Sequence, residues 1–405
     1  MPPGDRPLKI GVVGASIAHS VDERENFAIR AHLPALLALD DLYEVAAVCT
    51  TRMESAQEAA DRFGVARAFD SVESMLNGVP DLAVICVSVR PAAHYGVAMA
   101  ALRAGKHVYC EHPGGITSEQ AQDMWEAAQA GELRTLTGHQ EHFDPATVHM
   151  ARLVRAGYVG EPLAFSATHF GANYIAPRPA FHRWLFDVRA GGRPAYRSGH
   201  SLERILSVLG QDVTSVCADF TIQVPERQAL DRPDEVLHSD QVDNMNYLLR
   251  SGTSTVGTLQ VSNTAWFGTG DHLAVYGTEG MLLLVDREGV QALAGPGAVG
   301  HDGPEAGEFA LFGAQADVER IVAERRPPEK LGSFQPIAVP PPAPGVPGHG
   351  RSARSVRPAW IELATAIREK RECSPSLHTT YKIHRIWDAA EESVESRRWV
   401  DVEYA

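Results

Sequence analysis

Short apolar runs alternate with amphipathic helical patterns in the first third of the chain. Each of five runs is bounded by turn residues and therefore predicts a buried strand. The runs are 8–13, 43–49, 83–87, 108–110 and one inside LRTLTGHQ. Between them, segments such as SAQEAADRFG and HYGVAMAALRAG predict helices that end at Gly64 and Gly105. Strands that alternate with helices form βαβ units, so the pattern predicts an α/β fold with a doubly wound parallel sheet of the Rossmann type.

The pattern changes near Asp144, where one helix over 145–156 precedes longer strand-like segments. These segments are LAFSATHF, VTSVCADFTIQV, NMNYLLRS, TSTVGTLQVSNTAW and HLAVYGTEGMLLLV. Successive strands joined by glycine-containing turns predict a large, mostly antiparallel open sheet. Gly- and Pro-rich stretches at 295–307 and 336–358 predict loops, and two helices, in AWIELATAIREKR and YKIHRIWDAAEESVES, follow.

The chain is therefore expected to form two domains. We place a Rossmann-type domain at 1–143 and a second α/β domain at 144–405, whose last helices can pack back on the first domain. A length of 405 residues is enough to bury two cores.

Charge and composition disfavour several classes of function. The net charge is −14, which repels nucleic acid and anionic membranes, and no run approaches the ~20 apolar residues of a membrane span. The first residues lack the apolar region of a signal peptide, and the five cysteines form no Cys-x-x-Cys pair, so we expect a reduced, cytoplasmic protein. The 17 histidines show no helical His-x-x-x-His with an acid, and we expect no metal site.

The turn after the first strand has one feature of a dinucleotide site. The window GASIAH keeps the first glycine, Gly14, but has Ser16 in place of the second, followed by Ile17. Backbone N–H groups at such a turn bind pyrophosphate, and the Ser16 hydroxyl offers one more donor. We expect these three residues to contact the cofactor. The alternative is an ordinary strand–helix turn, where a glycine is also common. Residues 19–26 predict extra loop before the helix.

The end of the second strand indicates which nicotinamide cofactor is preferred. NAD-specific folds carry an acid there for the ribose hydroxyls, whereas this chain has Thr50, Thr51 and Arg52. Hydroxyls and a guanidinium suit a 2′-phosphate, so NADP(H) is favoured over NAD(H). The alternative is that Arg52 is an ordinary solvated residue.

The segment GKHVYCEHP at 105–113 carries a family resemblance. It resembles the Glu-Lys-Pro stretch of the glucose–fructose oxidoreductase / inositol dehydrogenase / MocA (Gfo/Idh/MocA) family of nicotinamide-dependent oxidoreductases. In that family the residue between Glu and Pro is usually a lysine that works beside the nicotinamide, and here it is His112. The segments DLAVICVSVRPAAHYG, GHQEHFDPA, WLFDVRAGG and YGTEG fit the same family in order and spacing. The cofactor-binding residues that the resemblance implies are Val87, Ser88, Val89, His94, Glu111, His112, Gln140 and Trp184.

The resemblance also implies an acid–base set. The family follows its Gly-Gly pair with Asp-x-x-x-His, and this chain has Tyr196 at the Asp position and His200 at the His position. The implied catalytic residues are His112, Tyr196 and His200, which would move the hydroxyl proton while hydride passes to or from the nicotinamide. Alternatively, His112 only binds cofactor and His200 only hydrogen-bonds at a helix start.

The expected activity is an NAD(P)(H)-dependent oxidoreductase acting on a hydroxyl or carbonyl carbon of a small polar substrate, such as a sugar or cyclitol. HLPALLAL, the missing lysine and GHSLERILSVLG also resemble a subgroup typified by the fungal galactose-pathway repressor. The alternative is therefore a dinucleotide-binding sensor without turnover. The family further implies a homodimer or homotetramer built through the second domain's sheet.

Overall fold

The computed structural model describes residues 6–17, 26–191, 196–294, 308–325 and 334–404. The loop predicted at 19–26, except for Asn26, and the Gly-rich stretch 295–307 lie outside the described residues. Within the described ranges the chain builds a six-stranded sheet, a nine-stranded sheet and a two-stranded hairpin. No helix in these ranges combines the length and apolarity needed to cross a bilayer.

The first sheet is parallel throughout and confirms the predicted Rossmann-type fold, with strand order β3-β2-β1-β4-β5-β6. Its strands are β1 (Leu8–Val13), β2 (Tyr43–Cys49), β3 (Ala68–Phe69), β4 (Val84–Val87), β5 (His107–Cys110) and β6 (Thr135–Thr137). Its helices are α1 (Leu33–Leu37, after a π-helical turn at Ala28–His32), α2 (Met53–Phe63), α3 (Val72–Gly78), α4 (Pro91–Arg103) and α5 (Ser118–Ala130). The apolar run of β4 is buried along its whole length. The strand order reverses between β1 and β4, which opens a crevice at their carboxyl ends.

The second sheet has the order β16-β15-β14-β13-β7-β12-β11-β8-β17, and only the β7–β12 pair is parallel. Its elements begin with α6 (Pro145–Arg155), β7 (Pro162–Phe170), α7 (Val188–Gly191), α8 (Gly199–Leu209), β8 (Val213–Thr221), β9 (Glu226–Gln228), β10 (Val236–His238), β11 (Asn244–Ser251) and β12 (Thr255–Ser262). They continue with β13 (Gly270–Gly277), β14 (Gly280–Asp286), α9 (Arg287–Ala294), β15 (Phe309–Gln315), α10 (Val318–Glu324), β16 (Gln335–Pro336), α11 (Arg351–Glu369), α12 (Leu377–Ser396) and β17 (Val400–Asp401). The predicted mostly antiparallel open sheet is confirmed.

One face of the second sheet is covered and the other is open. Along β11 buried residues alternate with exposed ones, so Tyr247 points to the core while Leu248 points outward. The covered face packs in one core with residues of α6, α8 and α12. This helix-covered face lies next to the carboxyl edge of the first sheet and holds the site described below.

Helix α11 begins earlier than the sequence predicts. The stretch 336–358 was expected to be loop because it is rich in proline, yet the helix starts at Arg351 and includes Pro358 in its interior. An interior proline costs about 3 kcal/mol of helix stability. Burial of Val356 and Trp360 in the core of the first sheet outweighs that cost. The last long helix, α12, packs against both α5 and β8, so the C-terminal helices contact both sheets.

Candidate functional site

The turn at Gly14 lies at the switch point between β1 and β4. Gly14 has a φ of +99°, and a Cβ atom there would lie 2.1 Å from the carbonyl oxygen of Ser88. Only glycine fits this approach, which opens the crevice that a dinucleotide needs. The Ser16 hydroxyl lies 3.2 Å from that of Ser55, and Ile17 packs partly buried against the first core. Without a Cβ at Gly14 the end of β1 stays open, as a bound pyrophosphate would require.

The end of β2 leaves a guanidinium exposed. The Thr50 hydroxyl donates to the carbonyl oxygen of Arg52 at 2.7 Å and accepts from its N–H at 3.2 Å, so it shapes the turn. Thr51 and the Arg52 side chain remain exposed at the start of α2. Of the three predicted residues, Thr51 and Arg52 are therefore open to a ligand, while Thr50 is committed to the backbone.

His94 ties two loops of the crevice together. Its Nε2 lies 3.0 Å from the carbonyl oxygen of Val89, and its Nδ1 lies 2.5 Å from that of Pro113. The side chain is buried, and burial lowers its pKa. His94 thus fixes the loop after Val87 and Ser88 against the Glu-His-Pro loop, and its ring nitrogens point at backbone.

Glu111 is held as a carboxylate beside the crevice. Its Oε1 accepts a hydrogen bond from His32 at 3.0 Å, and Gln140 donates to both oxygens at 3.0 and 3.2 Å. Burial works to raise the pKa of Glu111, but the hydrogen bonds from His32 and Gln140 and the nearby His94 bring it below its usual value. Glu111 and Gln140, both predicted to bind the cofactor, are therefore joined by hydrogen bonds.

Three histidines from three elements meet next to this carboxylate. His112 follows β5, His139 follows β6 and His200 lies in the first turn of α8. The ring centroid of His112 is 4.7 Å from each of the other two, which are 5.1 Å apart. A Cβ on Gly199 would lie 2.3 Å from Cε1 of His112, so a glycine at the start of α8 is required for the contact.

The hydrogen bonding of this trio leaves ring nitrogens available. His112 Nε2 donates to the carbonyl oxygen of Tyr196 at 3.0 Å, so its Nδ1 is the remaining acceptor. In the described part of the chain, Nδ1 of His112, Nδ1 of His200 and both nitrogens of His139 are buried without a partner. Unpartnered buried nitrogens are unusual and mark a place where a ligand can bind.

The trio is neutral at physiological pH. Burial, followed by the neighbouring imidazoles, holds the pKa of His112 and of His139 well below 6.5. Burial lowers the pKa of His200 to about 4. Neutral imidazoles accept protons, so the cluster can act as a base toward a hydroxyl group.

The structure places the Tyr196 side chain apart from the trio. Its hydroxyl lies 3.4 Å from that of Tyr174, and the Arg197 guanidinium covers its ring at 4.7 Å. Burial raises the pKa of Tyr196 well above 10. The backbone carbonyl of Tyr196 accepts the hydrogen bond from His112. Trp184, in the short 3₁₀ segment Ala180–Phe186 after β7, is partly buried.

A buried ionic network beside His200 was not predicted from the sequence. Arg204, one turn after His200 on α8, donates to Asp271 on β13 at 2.9 Å and also to Glu141. His169 on β7 reaches the other oxygen of Asp271 at 2.9 Å. Burial, with the like charges of Asp271 and Glu308, raises the pKa of Glu141 to about 7 despite Arg204. The sequence signal was a charged Glu-Arg pair inside the apolar helix SLERILSVLG.

Across the described ranges, no group of three or more His, Cys, Asp or Glu side chains is arranged to hold a metal ion. The polar features of the site are thus the carboxylate of Glu111, the histidine trio and the ionic network.

Comparison with known proteins gives relatives over different lengths. Inositol 2-dehydrogenase of Salmonella typhimurium is 29% identical over 187 residues, 45% of this chain and 52% of the relative, so the chain matches about half its length. Levoglucosan dehydrogenase of Pseudarthrobacter phenanthrenivorans is 24% identical and covers 86% of this chain and 87% of the relative. The galactose/lactose metabolism regulatory protein GAL80 of Saccharomyces cerevisiae is 22% identical, covering 77% and 74%.

Solved structures show the same fold at low identity. Levoglucosan dehydrogenase in complex with NADH superimposes with a TM-score of 0.78 at 23% identity, covering 99% of this chain and all of that one. A super-repressor mutant of Gal80p from Saccharomyces cerevisiae gives 0.77 at 16% identity, with 98% and 100% covered. An enzyme and a regulator therefore share this architecture.

Two family models match consecutive parts of the chain. A model described as oxidoreductase family, NAD-binding Rossmann fold, matches residues 8–139, and a GFO/IDH/MocA C-terminal domain model matches 147–283. Together they cover about two thirds of the chain and follow the two sheets seen in the structure. The chain therefore belongs to the Gfo/Idh/MocA family of oxidoreductases, as the Glu-His-Pro segment and its companions predict.

Proposed function

We propose that the protein is an NAD(P)(H)-dependent oxidoreductase acting on a CH–OH carbon of a sugar or cyclitol. The observation that carries the proposal is the meeting of His112, on the loop next to the dinucleotide crevice, with His200 at the start of α8. Neutral proton acceptors from the loop after β5 and from α8 would then stand together at the substrate. The dehydrogenase relatives, named for inositol and levoglucosan, supply the substrate class.

Bound nicotinamide would take hydride from the carbinol carbon or return it. The chain's own residues would handle the hydroxyl proton, because His112 Nδ1 and His200 Nδ1 are both without a partner in the described structure. Tyr196 is assigned no proton step, because its hydroxyl faces Tyr174 and its pKa is raised. It instead orients His112 through its backbone carbonyl.

The acid–base assignment has a direct test. His112→Ala and His200→Ala should each lower kcat by about 10²–10⁴-fold while the Kd of the cofactor stays within a few-fold. His238→Ala is the matched control, because that histidine lies on an exposed strand, β10. Normal turnover by both site variants would show that the proton goes elsewhere.

NADP(H) is favoured over NAD(H) in this proposal. Support comes from Arg52, whose exposed side chain stands at the end of β2 with Thr51 and without an acid. Arg52→Ala should weaken NADPH binding and leave NADH binding unchanged in a fluorescence titration. Arg103→Ala, at the exposed end of α4, is the control. Equal affinity of the native protein for both cofactors would contradict the preference.

A homodimer or homotetramer is part of the same proposal. The open face of the second sheet carries Leu248 on β11, Val256 on β12 and Tyr276 on β13. These side chains are 44–50% exposed. A second copy of this face would bury them. Light scattering should show an oligomer, and a monomer at micromolar concentration would refute this part.

The decisive experiment combines binding with turnover. Purified protein is titrated with NADPH and NADH, and a panel of cyclitols and anhydrosugars is then followed by reduced-nicotinamide absorbance. Cofactor binding with turnover supports the proposal, and failure to bind either cofactor refutes it. Cofactor binding without turnover would favour the second candidate, a sensor, which His112 in place of lysine and the GAL80 relative both support.

A further inference from the structure

A chain of hydrogen bonds runs from helix α11 to Glu111. The indole Nε1 of Trp360 donates to Nδ1 of His32 at 3.2 Å, and His32 Nε2 lies 3.0 Å from Glu111 Oε1. Because an indole N–H can only donate, Nδ1 of His32 must accept, so its hydrogen is on Nε2 and points at the carboxylate. The side chains of Trp360 and His32 are both fully buried.

Aromatic packing holds His32 in this orientation. The rings of Phe27, Tyr109 and Trp360 meet the imidazole edge to face, with centroids 5.0–5.6 Å away. Tyr109 also stacks on Trp360 at 4.5 Å. The imidazole is therefore enclosed on several sides by large rings, and rotation would require the cluster to open.

Gln140 completes the arrangement from the opposite side. It donates to both oxygens of Glu111, so the carboxylate is fixed by donors from two side chains, Gln140 and His32. The side chain of Glu111 keeps 16% of its surface exposed, so its two protein partners do not seal it off. A fixed carboxylate edge suits a ligand hydroxyl, since such a bond is charge-assisted.

We propose that His32 and Trp360 are positioning residues that hold Glu111 as an ionised acceptor for a ribose hydroxyl on the nicotinamide side of the cofactor. Helix α11, from the C-terminal part of the chain, thereby sets the cofactor affinity of the N-terminal sheet. The inference rests on the proposed cofactor binding and adds two residues to it. The molecule offers this link because Trp360 of α11 lies in the core of the first sheet, where it donates to His32 and stacks on Tyr109 of β5.

The pH dependence of cofactor affinity separates this role from mere packing. Without the His32 donor, burial would raise the pKa of Glu111, so the carboxylate would protonate as the pH falls and lose its acceptor strength. His32→Leu should therefore weaken NADPH binding by about 10- to 100-fold, and more strongly at about pH 6 than at about pH 8. His32→Gln, which retains an N–H donor, should recover part of the affinity.

Trp360→Phe tests the first link alone. It keeps a ring against Tyr109 but removes the indole N–H, so nothing then fixes the hydrogen of His32 on Nε2. The ¹⁵N shifts of His32 should report the Nε2–H tautomer in the native protein and a mixture of the two tautomers in the variant. Tyr43→Phe is the matched control, because it removes a hydrogen bond to the Trp360 carbonyl oxygen, 2.8 Å long, but keeps the ring beside Trp360 and leaves the indole N–H in place.

The outcomes are distinct. A pH profile of NADPH affinity in His32→Leu that is parallel to the native one would overturn the inference. If His32→Leu does not fold, the NADPH affinity of Trp360→Phe decides between the outcomes. In Trp360→Phe, an NADPH Kd equal to that of Tyr43→Phe, or a higher Kd while His32 keeps its hydrogen on Nε2, would overturn the inference. A higher Kd together with loss of the fixed Nε2–H tautomer would support it. If the native protein binds neither NADPH nor NADH, the proposed function is refuted, and the roles of His32 and Trp360 are not what failed.

Discussion

Replacing His139 by phenylalanine should stabilise the folded protein. The side chain is 1% exposed, and neither ring nitrogen has a hydrogen-bond partner among the residues described. A buried polar group without a partner costs about 1–3 kcal/mol, and a phenyl ring of similar shape removes that cost. The ring would lie beside those of His112 and His200, whose centroids are 4.7 and 5.1 Å from that of His139.

The gain should grow in acid. Burial and the neighbouring imidazoles hold the pKa of His139 well below the 6.5 of a free histidine. Below pH 6.5 the unfolded chain therefore binds a proton that the folded chain does not, and stability falls as the pH falls. Phenylalanine removes this loss, which amounts to about 1.4 kcal/mol at one pH unit below the free value. The total gain is then about 1–3 kcal/mol near neutral pH and about 1.4 kcal/mol more at about pH 5.5.

Urea unfolding of the native protein and of His139→Phe at about pH 7.5 and about pH 5.5 measures the gain near neutral pH and the additional gain in acid. His94→Phe is the control, because His94 is equally buried but both of its nitrogens meet carbonyl oxygens, so that variant should be less stable. His139→Leu is a second variant, because the phenyl ring is larger than the imidazole and could be destabilising through overpacking alone. A loss of stability in both His139 variants, or an equal gain at the two pH values, would refute the reasoning.

Three further predictions concern the same site. If His200 is the base, kcat for oxidation should hold down to about pH 5 and fall toward its pKa of about 4, and a limb near pH 6.5 would contradict the assignment. Arg204→Met should lower the free energy of unfolding by about 3–5 kcal/mol, because Asp271 is left buried without its main partner. Urea unfolding of the double variant Arg204→Met/Asp271→Asn should show that part of this loss is recovered. Gly199→Ala should push the His112 ring aside and lower kcat by about 10²-fold with the Kd of NADPH retained, whereas native kcat would show that the contact is dispensable.

The first sheet was predictable because its strands are buried on both faces. A strand covered by helices on each side needs a continuous apolar run, and β1, β4 and β5 each show one bounded by turn residues. The start of α11 was not predictable in the same way. Pro358 indicates a break when only local propensity is considered, and the compensating burial of Trp360 involves residues more than 200 positions away.

The site residues also differ in how far the local sequence predicts them. His112 and His200 could be named from motifs because each follows a short segment of fixed geometry, whereas the side-chain direction of Tyr196 depends on Tyr174 and Arg197, which no local pattern encodes. The ionic network around Arg204 joins a helix, two strands and the segment after β6. Its members are far apart in sequence, so only their unusual charge within apolar elements could have marked them.

The exchange of the family's usual lysine for His112 changes the electrostatics of the whole site. A lysine would place a fixed positive charge against His200, whereas the imidazole is neutral because burial and the other histidines lower its pKa. The positive charge nearest to the trio along α8 is instead Arg204, which is already paired with Asp271 and Glu141. The substrate hydroxyl would therefore meet neutral acceptors rather than a cation. Such a site favours removing a proton from an alcohol over stabilising an alkoxide by charge, so any catalysis must rely on the proton acceptors of the trio.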